Sequence, residues 1–168
     1  PKPLMYASIF FDLRCVAGDS SLSDRIVSAI GEGTQSNKLF LRFMAQNALE
    51  RSPPLGFFRR FILETDGEHS EGLNLKQRGV VPITSLARVR ALESGICQPG
   101  TLERLEAVSR HHSDIAKDLA NLADAFELIE SLRMKSQAHQ ITGNREPDNL
   151  LDPDRLSALA RDNLRAAF

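Results

Sequence analysis

The fold is decided by the segment from Ile115 to Ile141, which reads IAKDLANLADAFELIESLRMKSQAHQI. Its apolar residues recur at alternating spacings of four and three, which is the period of one helix face packed in a bundle. These residues are Ile115, Leu119, Leu122, Phe126 and Ile129. Gly143 and Asn144 follow the segment and favour a helix end. The pattern predicts one long helix in a helical bundle.

Weaker helical patterns lie on both sides of this segment. We expect further helices to begin near Ser21, Ser36, Pro82, Thr101 and Asp152. Between residues 55 and 81 the helical period is lost, and glycine-rich sequence separates two short extended pieces. Residues 4–14 are rich in apolar and aromatic side chains and predict a strand. The predicted fold class is mainly α: a bundle of about six helices, a short N-terminal strand and a small β-hairpin-like insertion.

Composition and charge exclude several classes of protein. Of the 168 residues, 42% are hydrophobic and 26% are charged, as in soluble globular domains. The 21 Lys and Arg residues nearly cancel the 22 Asp and Glu residues, so we expect no nucleic-acid partner. No apolar run approaches the ~20 residues of a membrane span, and two cysteines cannot form a disulfide framework. We therefore expect a cytoplasmic protein with no membrane partner.

The predicted N-terminal strand contains one acid, Asp12, between Phe11 and Leu13. A carboxylate among apolar residues is costly to bury unless it is paired or binds a cation. Both hypotheses stay open: Asp12 binds a cation, or it pairs with Arg14 on the same strand face. A lone strand needs a neighbour to pair with. Because the chain begins at Pro1, we expect residues 1–17 to be the remnant of an upstream domain and residues 18–168 to form a helical domain.

Charged residues crowd the irregular middle of the chain, and one more, Arg88, lies on the predicted helix after it. They are Arg59, Arg60, Glu68, His69, Lys76, Arg78 and Arg88. Loops on a rigid scaffold often carry binding groups, and Lys or Arg there suits a phosphate or a carboxylate. On the long helix, Arg133, Gln137 and Gln140 recur at helical spacing where the apolar seam fades. Both sets are candidate ligand contacts, and ordinary solvated surface is the alternative for each.

No motif for self-sufficient catalysis is present in the sequence. The chain lacks a dinucleotide-binding glycine motif, a Walker lysine loop, an HExxH motif and a nucleophile elbow. Seven other short motifs follow one another along the chain. They are FFDLR (10–14) with Gly18-Asp19, PPLGFF (53–58), GEH (67–69), LNLK (73–76) with Gly79 and Pro82-Ile83, LARV (86–89), LR (132–133) with Gln137, and DN (148–149).

Through these motifs the chain resembles the nucleotidyltransferase substrate-binding domain. This domain lies at the C-terminus of bacterial signalling proteins that carry cyclic-nucleotide-binding and CBS domains upstream. The resemblance spans nearly the whole chain. More distantly, residues 74–83 are similar to a segment of the PII uridylyltransferase and glutamine synthetase adenylyltransferase group, although Val80-Val81-Pro82 replaces its paired glycines.

The resemblance implies a two-part nucleotidyltransferase that uses Mg²⁺. Such enzymes place three carboxylates around two Mg²⁺ ions, and Asp12 matches the third, as a catalytic and metal-binding residue of the intact protein. The Gly-Ser loop and the other two carboxylates belong to the upstream nucleotidyltransferase domain, of which residues 1–17 would be the remnant strand. We therefore expect the 168 residues alone to be inactive and to hold no cofactor.

The resemblance also suggests which residues contact substrate. The expected contacts to nucleotide or acceptor are Glu68, His69, Lys76, Arg78, Arg88, Arg133 and Gln137. Lys76 is the first choice among them, since a point cation suits a triphosphate. The expected partners are a nucleoside triphosphate, an acceptor for which a protein is one candidate, and the upstream domains; a homodimer is a further option.

Two alternatives to an enzyme stay open. The chain could be a non-catalytic module that relays cyclic-nucleotide or CBS-ligand signals by helix packing or dimerisation, which the long seam helix favours. The other alternative is a helical protein whose polar loop does nothing beyond being solvated.

Overall fold

The computed structural model describes residues 10–65 and 71–168 and is mainly α-helical, as predicted. In these ranges the helices are α1 (Ser20–Ser36), α2 (Lys38–Leu49), α3 (Val81–Glu93), α4 (Thr101–His111), α5 (Ala116–Thr142) and α6 (Ala158–Ala167). A small antiparallel sheet has the order β1 (Glu64–Thr65), β2 (Glu71–Asn74), β3 (Leu150–Leu151). Among the described residues, no helix combines the length and the apolar character needed to cross a membrane.

The N-terminal strand is wrong for the residues that the structure describes. Residues 4–9 of the prediction lie outside the described ranges, and Phe10–Asp12 form one 3-10 turn. The backbone carbonyl of Phe11 accepts a hydrogen bond from Arg104 at 2.7 Å, and Asp12 pairs with arginine side chains. Arginine side chains of α3 and α4 therefore provide the hydrogen-bond partners of the Phe11 carbonyl and the Asp12 carboxylate in this turn.

Two helix starts differ from prediction because side chains near the predicted caps bond elsewhere. The Ser36 hydroxyl donates to the Gly33 carbonyl within α1, and Asn37 caps α2 by accepting from the Phe40 N–H at 3.0 Å. Near the C-terminus, Asp152 caps only a 3-10 turn, Pro153–Arg155. Helix α6 begins later, where the Ser157 hydroxyl accepts from the Ala160 N–H.

The β-hairpin-like insertion is present, but its pieces differ from the predicted ones. A 3-10 turn, Phe57–Arg59, and an isolated bridge between Leu55 and Phe61 stand where an extended piece is predicted. Strand β2 is antiparallel to both β1 and the unpredicted β3, with Leu73 opposite Leu151 and Asn74 opposite Leu150. After β2 the chain enters a π-helical turn, Lys76–Val80, which continues directly into α3.

The chain divides into two compact units. The described residues of unit one are 10–50 and 84–120, and those of unit two are 51–65, 71–83 and 121–168. Unit one has a core of Leu41, Met44, Val89 and Leu92. Unit two has the larger cluster, with buried Leu73, Leu75, Ile83, Ala125, Ile129, Leu132, Leu151 and Leu164. Three of the five predicted seam residues of α5 contribute to this cluster: Ile129 is buried in it, and Leu122 and Phe126 pack against it.

Candidate functional site

Asp12 lies in a cluster of opposite charges in unit one. From α3, Arg88 donates through Nη2 to Asp12 Oδ2 at 2.6 Å and through Nε to Oδ1 at 3.4 Å. From α4, Arg104 donates through Nη2 to Asp12 Oδ1 at 2.7 Å. Both carboxylate oxygens are therefore bonded to guanidinium groups. Of the two hypotheses for Asp12, an ion pair has formed, and its partners are Arg88 and Arg104 rather than Arg14.

Burial makes this cluster electrostatically unusual. The side chains of Arg88 and Arg104 are 11% and 3% exposed, whereas that of Asp12 is 42% exposed. Burial lowers the pKa of the Arg104 guanidinium from its ordinary value, and the hydrogen bond and charge of Asp12 oppose this. Burial raises the pKa of the nearby Cys97 thiol, while the charge of Arg104 acts in the opposite direction.

The described residues do not fit Mg²⁺ in this arrangement. Mg²⁺ takes oxygen ligands in a near-octahedral shell, and carboxylates usually supply one or two of them. Both Asp12 oxygens are bonded to arginine, and no group of three or more His, Cys, Asp or Glu residues that could hold a metal occurs in residues 10–65 and 71–168. Asp12 as a metal ligand of an intact enzyme stays a prediction.

A second polar cluster lies in unit two, where α5 holds the segment before β3. Gln140, 7% exposed, donates through Nε2 to Asp148 Oδ1 at 2.8 Å and accepts from the Asp148 N–H at 2.9 Å. The same Asp148 carboxylate accepts from the Leu150 N–H at 2.9 Å. This reciprocal pair, the Gln140–Asp148 clasp, fixes the chain at the start of β3.

Two predicted site residues continue this cluster along α5. Gln137 donates to the Asp148 carbonyl at 3.0 Å, and Arg133 donates to Asn149 Oδ1 at 3.4 Å. Arg133 also pairs with Glu130 one turn earlier, at 2.7 Å. In turn the Asn149 carbonyl accepts from the Leu75 N–H at 3.1 Å. The polar residues of α5 thus make intramolecular contacts that connect α5, residues 148–149 and the end of β2.

The remaining predicted residues lie around the end of β2 or outside the described ranges. Lys76 is exposed and is the first residue of the π-helical turn, whose Gln77 N–H donates to Asn74 Oδ1 at 3.0 Å. Arg78 pairs with Glu64 of β1 at 2.5 Å. Glu68 and His69 fall outside the described residues. The structure therefore brings Asp12 together with Arg88, and Arg133 together with Gln137.

Sequence reasoning missed two features. One is Arg104, which lies on the buried face of α4 with Leu105 and Val108, so its sequence signal is a cation placed within the apolar stripe of a short helix. The other is a cleft of about 210 Å³ in unit two, beside the Gln140–Asp148 clasp. Its charged and titratable lining residues are Glu71, His139, Arg145, Asp148, Asp152 and Arg155. Several of them come from the connection after α5, which has no periodic pattern to mark it.

Comparison with known proteins identifies the domain. A sequence model described as "Putative nucleotidyltransferase substrate binding domain" matches residues 38–168. The chain belongs to this family. The matched residues of the substrate-binding domain include Arg88, Arg104 and the whole polar cluster of α5, whereas Asp12 precedes them. No curated protein and no solved structure matches the chain.

Proposed function

We propose that the chain is the substrate-binding half of a two-part nucleotidyltransferase and that it is inactive without the other half. In the reaction, a nucleophilic atom of the acceptor forms a bond to the α-phosphorus of a nucleoside triphosphate. The bond from this phosphorus to the bridging oxygen breaks, and pyrophosphate leaves with that oxygen. The acceptor loses its proton to the base that activates it. Membership of the substrate-binding family supports this proposal.

The observation that carries the proposal is the convergence of three family motifs in unit two. Hydrogen bonds join the LNLK motif, the Arg133 and Gln137 pair, and the Asp148-Asn149 motif. Together they fix Leu75, which follows the end of β2 and directly precedes the exposed cation Lys76. A cation on a braced turn suits a phosphate group, because little backbone freedom is lost on binding. We propose Lys76 as the first contact of unit two to the triphosphate or the acceptor.

The finer parts of the proposal concern the intact protein. We propose that an upstream nucleotidyltransferase domain supplies Mg²⁺ ligands, and that cyclic-nucleotide-binding and CBS domains regulate the transfer in the cytoplasm. A protein acceptor is proposed by analogy with the PII and glutamine synthetase enzymes alone. Glu68 and His69, eight and seven positions before Lys76 in the sequence, remain proposed contacts.

Label transfer tests this function. The parent protein, with its upstream domains, is incubated with Mg²⁺ and ATP, UTP, GTP or CTP labelled at the α-phosphate, in a lysate that supplies acceptors. We expect transfer from one nucleotide by the parent and none by the 168-residue chain. Lys76→Ala in the parent should lower transfer about tenfold or more, which is the loss of one charge-assisted contact to phosphate. Lys135→Ala, an exposed cation on α5, is the matched control and should not change it.

A non-catalytic relay module is the second candidate, and one observation favours it. Asp12 is neutralised by two arginines, so its carboxylate is engaged within the chain rather than open to a cation. If the parent transfers no nucleotide from any of the four triphosphates, with its regulatory ligands added, the nucleotidyltransferase proposal is contradicted and the relay is favoured. If nucleotide transfer persists unchanged in Lys76→Ala, only the proposed role of Lys76 is contradicted, and the nucleotidyltransferase proposal stands.

A further inference from the structure

We propose that Arg88 and Arg104 form a binding site for a phosphate group, and that Asp12 occupies this site as an internal competitor. The ligand class is a phosphate chain such as that of a nucleoside triphosphate. The inference rests on the proposed function, since it assigns to this site the phosphate end of the expected substrate. It concerns unit one and involves neither Lys76 nor a metal.

The geometry of the arginine pair is that of an oxyanion site. Two guanidinium groups from different helices converge on one acidic group and bond both of its oxygens, at 2.6 and 2.7 Å. Planar guanidinium forks match carboxylate and phosphate oxygens alike, so a site that holds one can accept the other. The two arginines lie on helices rather than on loops: Arg88 is in the middle of α3 and Arg104 in the first turn of α4.

The charges of this cluster are not balanced. Arg88 and Arg104 are each at least nine-tenths buried as whole residues, and their two guanidinium groups share one carboxylate. In addition, Arg104 Nη1 is buried and has no hydrogen-bond partner among the described residues. An excess of positive charge in a buried site is costly, and so is a buried donor without an acceptor. A larger, more strongly charged anion removes more of this cost than a carboxylate does. A phosphate group supplies that extra charge and a third acceptor oxygen.

The occupant is the weakly held part of the cluster. Asp12 is 42% exposed and lies on one short 3-10 turn, whereas the arginines lie on helices of 13 and 11 residues. A single turn opens at a lower free-energy cost than a packed helix. Both arginines lie within the residues matched by the family, and Asp12 lies before them. The site is therefore part of the substrate-binding domain, while its occupant comes from the preceding segment.

Calorimetric titration without metal tests the proposal. The chain is titrated with tripolyphosphate, ATP or adenosine in the presence of a chelator, and we expect the first two to bind and adenosine not to bind. Asp12→Asn removes the competing charge and should tighten tripolyphosphate binding about tenfold, whereas Arg88→Ala should weaken it by a similar factor. Arg90→Ala, an exposed arginine on α3 that pairs with Glu93, is the matched control and should leave binding unchanged.

Whether Asp12→Asn tightens or weakens tripolyphosphate binding decides whether Asp12 competes for the site. Unchanged or weaker binding in this variant overturns the proposal, as does a lack of tripolyphosphate binding by both the chain and the variant. Because Asp12 is partly exposed, its variant tests the site even if the substitutions of buried arginines unfold the chain; circular dichroism identifies that case. ATP that binds more tightly than tripolyphosphate assigns the site to a nucleotide, and equal affinity assigns it to the phosphate chain alone.

The outcome is independent of the label-transfer experiment. Phosphate binding by the chain together with no transfer by the parent contradicts the proposed enzyme but supports this anion site. Transfer by the parent together with no metal-free phosphate binding by the chain contradicts the anion site only.

Discussion

Replacing Gln140 by leucine removes the clasp that holds the segment before β3. Gln140→Leu keeps a side chain of similar length but loses both the donor to Asp148 Oδ1 and the acceptor for the Asp148 N–H. The backbone hydrogen bond from the Arg145 N–H to the Gln140 carbonyl, at 2.9 Å, does not involve the side chain and should persist. The variant therefore tests the two clasp bonds and little else.

The expected loss in the free energy of unfolding is about 2 kcal/mol. A hydrogen bond to a charged group contributes about 1.5–3 kcal/mol and a neutral one about 1 kcal/mol. Asp148 is half-buried, so water recovers part of the hydrogen bonding that its oxygen and N–H lose. Gln140 is 7% exposed, so the new leucine also gains about 1 kcal/mol from apolar burial. These gains offset part of the lost bonding and leave about 2 kcal/mol.

Urea denaturation followed by far-ultraviolet circular dichroism measures this loss, since the chain has no tryptophan and is mainly helical. Amide hydrogen exchange adds a local readout: the Asp148 N–H should lose protection in Gln140→Leu. The matched control is Lys135→Leu, an exposed position on the same helix, where we expect a change within about 0.5 kcal/mol.

A double-mutant cycle decides whether the effect belongs to the pair. Combining Gln140→Leu with Asp148→Ala should cost less than the sum of the single changes, with a coupling of about 1–3 kcal/mol. A coupling near zero, or a single-variant loss below about 0.5 kcal/mol, would show that the clasp does not stabilise the segment. The reasoning about buried amide partners would then be refuted for this site.

Three further predictions concern core packing, helix propensity and thiol reactivity. Gly79→Ala should lower the free energy of unfolding by about 1–3 kcal/mol in urea denaturation, because the added Cβ would lie 2.9 Å from Ile129 Cγ2 in the core. Gly33→Ala in α1 meets nothing within 4 Å and should raise it by about 0.5–1 kcal/mol. Cys97, whose thiol pKa is raised by burial, holds less thiolate than in the unfolded chain, so its iodoacetamide alkylation should begin at higher pH than in urea. Peptide mass spectrometry measures this, and equal pH profiles in the two states would contradict it.

The helices were predictable because their apolar periods are long. Helix α5 carries its seam over several turns, and the buried Ile129 and Leu132 lie where that pattern predicts a core. The insertion was predictable as a break in this period, since glycines interrupt residues 55–81 and prolines flank them at positions 53, 54 and 82. Element type therefore follows from repetition along the chain, and residues 10–65 and 71–168 contain six α-helices and a small three-stranded sheet.

The details that failed depend on contacts between distant residues. Strand β3 has two residues, too few for any period, and forms because the Gln140–Asp148 clasp brings them beside β2. Ser36 and Asp152 are both good caps by residue type. Ser36 bonds within the preceding helix, and Asp152 caps only a short 3-10 turn. Capping propensity therefore predicts the type of residue but not the bond that its side chain makes.

The candidate site shows the same limit most clearly at Asp12. A carboxylate among apolar residues has two ways to offset its desolvation, a cation or basic side chains, and the sequence alone does not distinguish them. The partners that the structure provides lie 76 and 92 positions away, on two separate helices. Residue type thus predicted that Asp12 must be compensated, and only the fold could identify Arg104. Because the same two arginines would also suit a phosphate group, we propose that Asp12 and the substrate compete for them, and the Asp12→Asn titration measures this competition.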